Sequence, residues 1–460
     1  MSLKYIYIVL FVLLFTACST QKLEPQEPLV LDENKSVNIK LVLPKKDTEI
    51  HDLKNIPQDV DYFLKNINSS ILKYDVQEKY ESSYFSVWNI DKPKEDVESA
   101  KWPFFLYKAE QSYGENLQPL KQEFFDNMLE SANFGAYATV NLKAVTLRET
   151  NIRAFPTIRP LLLDPTLAGE GFPFDYMQNS TVHANKPLFI SHYSKDMEWV
   201  YVLSSFASGW VKTSDIVILG DNDADIWQKA QQIQITKENV PIYTIDGRFL
   251  FKSRLGMMFA LISQSDNAYT ILTISSYKDS KPLFTESIIS KDIASRGVIS
   301  LNQNNLGEIV REVSKTNYGW GGMYEQRDCS SMLRDMFAPF GIWLPRNSYQ
   351  QSKIGKVIAF NGMSDDDKIK LIKDKGIAFE TLLYKKGHIV LYVGTYNDEV
   401  IVFHNTWGIK TKKDGVEGRV IIGKPIFSTL RLGKNQENYD EEAEILKNLK
   451  SMNILTQDAF

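Results

Sequence analysis

The sequence predicts a multi-domain α+β chain: a mainly helical N-terminal segment, two small β-barrels, and a C-terminal domain of helices and β-hairpins. Three observations carry this. At 460 residues the chain exceeds one ordinary domain. Near residue 138 the hydrophobic period changes from helical to alternating. Near residue 300 a helical stretch returns, followed by Gly-rich turns and further hairpins. The composition, 43% hydrophobic and 24% charged, is that of a globular protein, and a formal net charge of −4 without a basic cluster gives no reason to expect nucleic acid as a partner.

The first residues differ from the rest. Lys4 precedes an apolar run from Tyr5 to Phe15, and Thr16-Ala17-Cys18 follows. A charged start, a short apolar stretch and small residues at the cut describe a secretory signal. The run is shorter than the about 20 apolar residues that span a bilayer. Small residues directly before a cysteine resemble the bacterial lipoprotein signal. That likeness implies removal of the segment before Cys18 and lipidation of Cys18, with residues 1–18 as the signal. Residues 19–47 are polar, contain three prolines and read as a tether. The expectation is an exported protein, lipid-anchored to a membrane facing the periplasm, the outer membrane rather than the inner. Cys329 is then the one thiol left, and an unpaired thiol in an exported protein points to chemistry. A buried structural cysteine is the alternative, and the neighbours of Cys329 decide between them.

Residues 48–137 show helical spacing, as in Tyr62, Phe63, Ile67 and Ile71, or Leu120, Phe124, Phe125 and Met128. They read as a structural clasp. In residues 138–220 the strands 188–193 and 199–203 alternate, and Ser208-Gly209-Trp210-Val211 followed by Ile216 closes a small barrel. The pattern resembles a bacterial SH3-like domain. A weaker second round, with 240–243 and 269–274 as strands, fills residues 221–299. His183 and His192 lie here without acidic or cysteine partners at ligand spacing, so no metal site is expected. The last domain, residues 300–434, opens with a helix through Ile309, Val310 and Val313. Residues 435–460 read as a helical tail, with Ile445, Leu446, Leu449 and Met452 on one face.

Residues 318–350 carry the chemistry: Tyr318-Gly-Trp-Gly-Gly, Asp328-Cys329-Ser330-Ser331, then Leu344-Pro345-Arg346-Asn347-Ser348. Asp328 can cap a helix through Leu333, Met336 and Phe337. Cys329 then sits in the first turn, where free N–H groups and the helix dipole favour thiolate and can hold an oxyanion. The base is His388, opening an alternating strand that returns through 400–404 to His404. A hairpin symmetric about Tyr396 places the two histidines directly opposite on one face. A four-residue loop without a bulge would place them on opposite faces.

Taken together, these motifs resemble the NlpC-type, papain-like cell-wall endopeptidase family, with one departure at Ser331, where Gly is usual. The resemblance implies a papain-like cysteine peptidase domain that cuts the D-γ-glutamyl–diamino acid bond of peptidoglycan stem peptides. It assigns Cys329 as nucleophile, His388 as base, His404 as its orienter and Tyr318 as a stabiliser beside the sulfur. Ser330, Arg346 and Ser348 match positions holding the glutamate α-carboxylate, and Asp328 a capping and substrate-side position. Asn347 stands where members that demand a free N-terminal L-Ala often carry Asp. The chain therefore either anchors that amine from an SH3-like domain or accepts stems still attached to glycan. No cofactor and a monomer are expected. The alternative function is a catalytically silent wall-binding lipoprotein.

Overall fold

Helical spacing in the N-terminal segment produces short helices: His51–Asn55, Asp61–Leu64, Val76–Tyr84, Val97–Ala100, Trp102–Leu106 and Gln122–Ser131. Helices of this length are not stable alone in water, so tertiary burial must hold them. This computed structural model describes residues 50–457 apart from 66, 68–75 and 279–280. The predicted signal, the tether, Cys18 and Ile71 lie outside the described residues. The segment is held by aromatic anchors on every later part of the chain. The Trp88 indole N–H donates to the carbonyls of Ala144 and Leu188, both at 3.1 Å, and its ring meets Trp227 edge-on at 6.4 Å. Phe63 stacks on Phe427 at 4.9 Å, and the buried Asp52 carboxylate accepts from the Thr429 N–H and hydroxyl at 2.8 and 2.9 Å.

Alternating residues then build two SH3-like domains. In the first, the strands stand in the order Gln178–Val182, Thr150–Arg153, Ser208–Lys212, Trp199–Leu203, Pro187–Tyr193, Leu142–Thr146, Ile216–Ile218. The second has a five-stranded sheet, ordered Lys281–Ser290, Ala268–Lys278, Met258–Gln264, Gln232–Ile235, Ala294–Arg296, and a small ribbon of Pro241–Tyr243 with Phe249–Lys252.

The C-terminal domain is one antiparallel six-stranded sheet: Lys356–Ala359, Leu449–Ile454, Thr381–Lys385, His388–Tyr396, Glu399–Lys413, Val416–Thr429. The helices Gln303–Val313 and Cys329–Phe337 cover one face of it. Met332, Leu333, Met336 and Phe337 share a core with Leu382, Ile389, Leu391 and Phe403.

The expected helical tail is corrected here. Among the described residues of the tail only Ile445–Asn448 is α-helical, and Leu449–Ile454 is a strand paired on both sides, with Lys356–Ala359 and Thr381–Lys385. Inside the sheet both strand faces are covered, and Leu449, Ser451, Met452, Asn453 and Ile454 are all buried. A strand buried on both faces loses the alternation that marks it in sequence.

Candidate active site

The helix Cys329–Phe337 starts as its sequence requires. The Asp328 carboxylate accepts from the Ser331 N–H at 2.8 Å, and the Ser331 hydroxyl accepts from the Asp328 N–H at 2.9 Å. This is a reciprocal capping box. Ser331, where the resemblance expects Gly, supplies its second half. Cys329 is thus fixed at the first helical position, buried, and it is the free cysteine among the described residues.

The neighbouring motif glycines serve a different end. Gly321 and Gly322 have φ of +61° and +88°, and a Cβ on them would lie 2.5 Å from Gln178 and from the Thr181 hydroxyl respectively. Only glycine lets this loop seat against the strand Gln178–Val182 of the first SH3-like domain. The contact is completed by Gln178 Nε2 donating to the Gly321 carbonyl at 3.3 Å and the Trp320 indole donating to the Asp175 carbonyl at 2.9 Å.

The two histidines meet, by a route other than the symmetric hairpin. Asn397 and Asp398 form a two-residue turn with φ of +48° and +64°, and Tyr396 pairs with Glu399. Continued unbroken, that register would put His388 and His404 on opposite faces. A bulge at Val393 shifts the pairing, so that Tyr392 faces Val402 and Leu391 faces Phe403. One extra residue reverses the side-chain parity of everything beyond it. His388 and His404 become diagonal neighbours on one face, with His388 Nε2 2.8 Å from His404 Nδ1.

The proton positions follow from the next link. His404 Nε2 lies 2.9 Å from the Ser428 hydroxyl, which gives its own proton to the Thr429 carbonyl at 2.9 Å. Ser428 therefore accepts from His404 Nε2–H, His404 Nδ1 is a lone pair, and His388 Nε2–H donates to it. His388 Nδ1 is left as the free basic nitrogen. Burial, then the nearby His404 ring and the Lys385 cation, hold the His388 pKa well below the ordinary value; burial and Lys385 lower His404 to about 3. Both rings are neutral at rest.

At Cys329 burial opposes the helix N-terminus, which the sequence reading takes to favour thiolate. Burial, then the Asp328 charge, pushes the Cys329 thiol up to about 12, against the pull of the Ile389 and Ser330 N–H groups and Arg346. The helix N-terminus orients the sulfur; burial keeps its proton on. Tyr318 lies beside it, and burial, followed by its nearness to Cys329 and the Asp328 carboxylate, raises its phenol well above 10, so it remains a neutral donor.

Arg346 is not an open fork. Its guanidinium grips Asp328, with Nη2 2.6 Å and Nη1 3.3 Å from the two carboxylate oxygens. It also donates to the Ser330 hydroxyl at 2.9 Å and to the Ser180 hydroxyl of the first SH3-like domain at 2.8 Å. Burial works to raise the Asp328 pKa, but Arg346 and the capping hydrogen bonds outweigh it and hold the carboxyl below its usual range. Asn347 caps the short helix Ser348–Gln351 by accepting from the Gln350 N–H at 2.8 Å. Cys329, Tyr318, Asp328, Ser330, Arg346, Asn347 and Ser348 all line one open cleft of 960 Å³, with walls from the N-terminal segment and the first SH3-like domain.

Sequence reasoning passed over Ser428, Ser180 and Gln178. Ser428 is the first of two hydroxyl residues, Ser428-Thr429, after the apolar pair Ile426-Phe427. Ser180 and Gln178 act across a domain boundary, for which no local signal exists. His183 lies between Glu149, at 3.1 Å, and Asp335, at 3.3 Å, and His192 is packed between the Ser191 hydroxyl and the Ala132 carbonyl. Among the described residues, no cluster of three or more His, Cys, Asp or Glu is placed to hold a metal ion.

Family models match along the chain. Residues 7–137 match the N-terminal NLPC_P60 stabilising domain, 160–212 an SH3 domain of SH3b1 type, 210–266 an SH3 domain of SH3b2 type, and 315–413 the NlpC/P60 family. No curated protein matches. Among solved structures, an NlpC/P60 endopeptidase from Photobacterium damselae subsp. piscicida is 22% identical, with a TM-score of 0.75 over 87% of this chain and 98% of that one. At that identity it shows a shared fold. An NlpC/P60 family protein from Bacillus cereus is 13% identical, with a TM-score of 0.45 over 68% of this chain and 99% of that one.

Proposed function

The chain belongs to the NlpC/P60 family of cysteine endopeptidases, with SH3b-type domains ahead of the peptidase domain, and from that premise we propose that it cleaves the D-γ-glutamyl–diamino acid bond of peptidoglycan stem peptides. The observation that carries this reading is a free thiol at a helix N-terminus, on a helix packed against the strand of a base whose basic nitrogen is fixed by a His404–Ser428 relay.

In this reading the Cys329 sulfur attacks the γ-glutamyl carbonyl carbon as its proton passes to His388 Nδ1. Because both groups start neutral, proton transfer accompanies substrate binding and attack. N–H groups of the first helical turn and the Tyr318 hydroxyl stabilise the developing oxyanion. The C–N bond breaks, His388 returns its proton to the departing amine, and water hydrolyses the thioester by the reverse route. Ser330 and Ser348 offer hydroxyls to the glutamate α-carboxylate. Arg346 supplies positive charge but, held by Asp328, acts chiefly by fixing Ser330. The Cys18 lipid would tether the enzyme, exported and monomeric, to the membrane facing its substrate.

Digestion of purified muropeptides by wild type and Cys329→Ala, read by mass spectrometry, tests this. Wild type alone should release a fragment beginning with the diamino acid. Wall binding without cleavage by either protein would instead make this a silent wall-binding protein.

A further inference from the structure

Resting on the peptidoglycan reading of the Cys329 site, we infer that the cleft contains a second subsite, which stacks the sugar rings of a glycan strand still attached to the stem peptide. The first ground is size and direction. At 960 Å³ the cleft reaches the upper end of the about 300–1,000 Å³ usual for small-molecule pockets, and L-alanyl-D-glutamate fills only part of it. Its lining includes the groups expected on the acyl side of the scissile bond, Asp328, Ser330, Arg346, Asn347 and Ser348, and of the hairpin that bears the base it includes Gly387, next to His388, but not His388 itself. The cleft thus borders the acyl-side groups, where the acyl part of the substrate continues. In intact wall that continuation is L-alanine amide-linked to the lactyl group of a muramyl sugar.

The second ground is the chemistry of the wall. Trp102, Tyr107, Tyr176 and Trp320 all line the cleft and form one row of rings, with successive centroids 6.1, 5.9 and 5.3 Å apart. The row crosses the N-terminal segment, the first SH3-like domain and the peptidase domain. A pyranose has apolar C–H faces and polar edges, so it suits aromatic rings with a hydrophilic border. Exposed Lys94, Glu95 and Ser99 supply that border. The third ground is Asn347, which carries no charge for an ammonium and whose amide oxygen is committed to a helix cap.

The test compares kcat/KM for a stem tetrapeptide with a free N-terminus and for the same peptide carrying its disaccharide. Wild type should favour the disaccharide form at least tenfold. Trp102→Ala, and separately Tyr176→Ala from a different domain, should each cut that ratio about tenfold, with thermal unfolding showing that the variants are folded. Peptide-free glycan strands, titrated into Cys329→Ala by tryptophan fluorescence, should bind, and should bind more weakly when Trp102→Ala is added. Free peptide cut well while the disaccharide form is rejected would overturn the subsite and leave the peptidase reading intact. Glycan binding to Cys329→Ala without cleavage of either substrate by wild type would support the subsite while the peptidase reading fails.

Discussion

At the scale of single residues, the site is governed by where protons rest. Burial raises the Cys329 thiol pKa, so thiolate is scarcer at neutral pH than on an ordinary cysteine. Activity then depends on neutral His388, and a base with a depressed pKa stays competent down to acid pH. The acid limb of kcat/KM should fall below pH 6.5. Lys385, paired across the strand from His388, lowers the pKa of both histidines. Replacing it as Lys385→Met removes a cation that disfavours imidazolium, so the His388 pKa should rise and the acid limb move to higher pH. A pH–rate profile reads this directly, and an unmoved limb would mean that burial alone sets the pKa. Ser428→Ala removes the acceptor that fixes the His404 tautomer. One ordered hydrogen bond contributes about 1 kcal/mol, so kcat should drop about fivefold with KM little changed. Steady-state kinetics on the stem peptide checks it.

At the scale of elements, three features decide whether the site forms. The Val393 bulge sets the parity of the hairpin, and the glycines at 321 and 322 let the motif loop meet the first SH3-like domain. The third feature is the C-terminal strand. Leu449–Ile454 lies between Lys356–Ala359 and Thr381–Lys385, and the latter adjoins the His388 strand. Removing residues 449–460 would strip backbone partners from both neighbours and, with Met452 gone, uncover the core around Leu383 and Val390. The truncated protein should be inactive and aggregate on expression. Soluble yield and far-UV circular dichroism measure this, and a soluble, active truncation would show the strand to be dispensable.

At the scale of the whole molecule, a buried ion network joins three domains behind the nucleophile. Arg327, adjacent to Asp328, donates to Glu238 of the second SH3-like domain at 2.7 Å and to Asp335 at 2.8 Å. Asp335 also meets His183 of the first. Its carboxylate partners outweigh burial and raise the His183 pKa. His183 thus contributes stability below its unfolded pKa, and that contribution is lost as pH rises through the folded value. His388, His192 and His404 act oppositely. Burial lowers His192 to about 4 and His404 to about 3, so their contribution is complete above about pH 6.5 and is lost as pH falls toward the folded values. Three sites against one give a net loss on the acid side. Urea midpoints should fall steadily from pH 6.5 to pH 4.5, and equal midpoints across that window would contradict the buried-neutral assignment.

How much of this was legible beforehand divides along the range of the forces involved. The sequence by itself determined the domain order and the capped helix bearing Cys329, and named His388 and His404 while leaving open whether they share a face. Each depends on local spacing, capping chemistry or cysteine arithmetic, which act over a few residues. Tertiary structure alone decided the rest. The bulge that puts the histidines on one face depends on cross-strand register. The tail became a strand because two edges awaited it. The thiol keeps its proton because packing excludes water around it, whereas a helix dipole read in isolation favours thiolate. Arg346 is gripped by Asp328 and Ser180, and the cleft wall is assembled from three domains, because side chains distant in sequence meet only when the hydrophobic cores beneath them have packed.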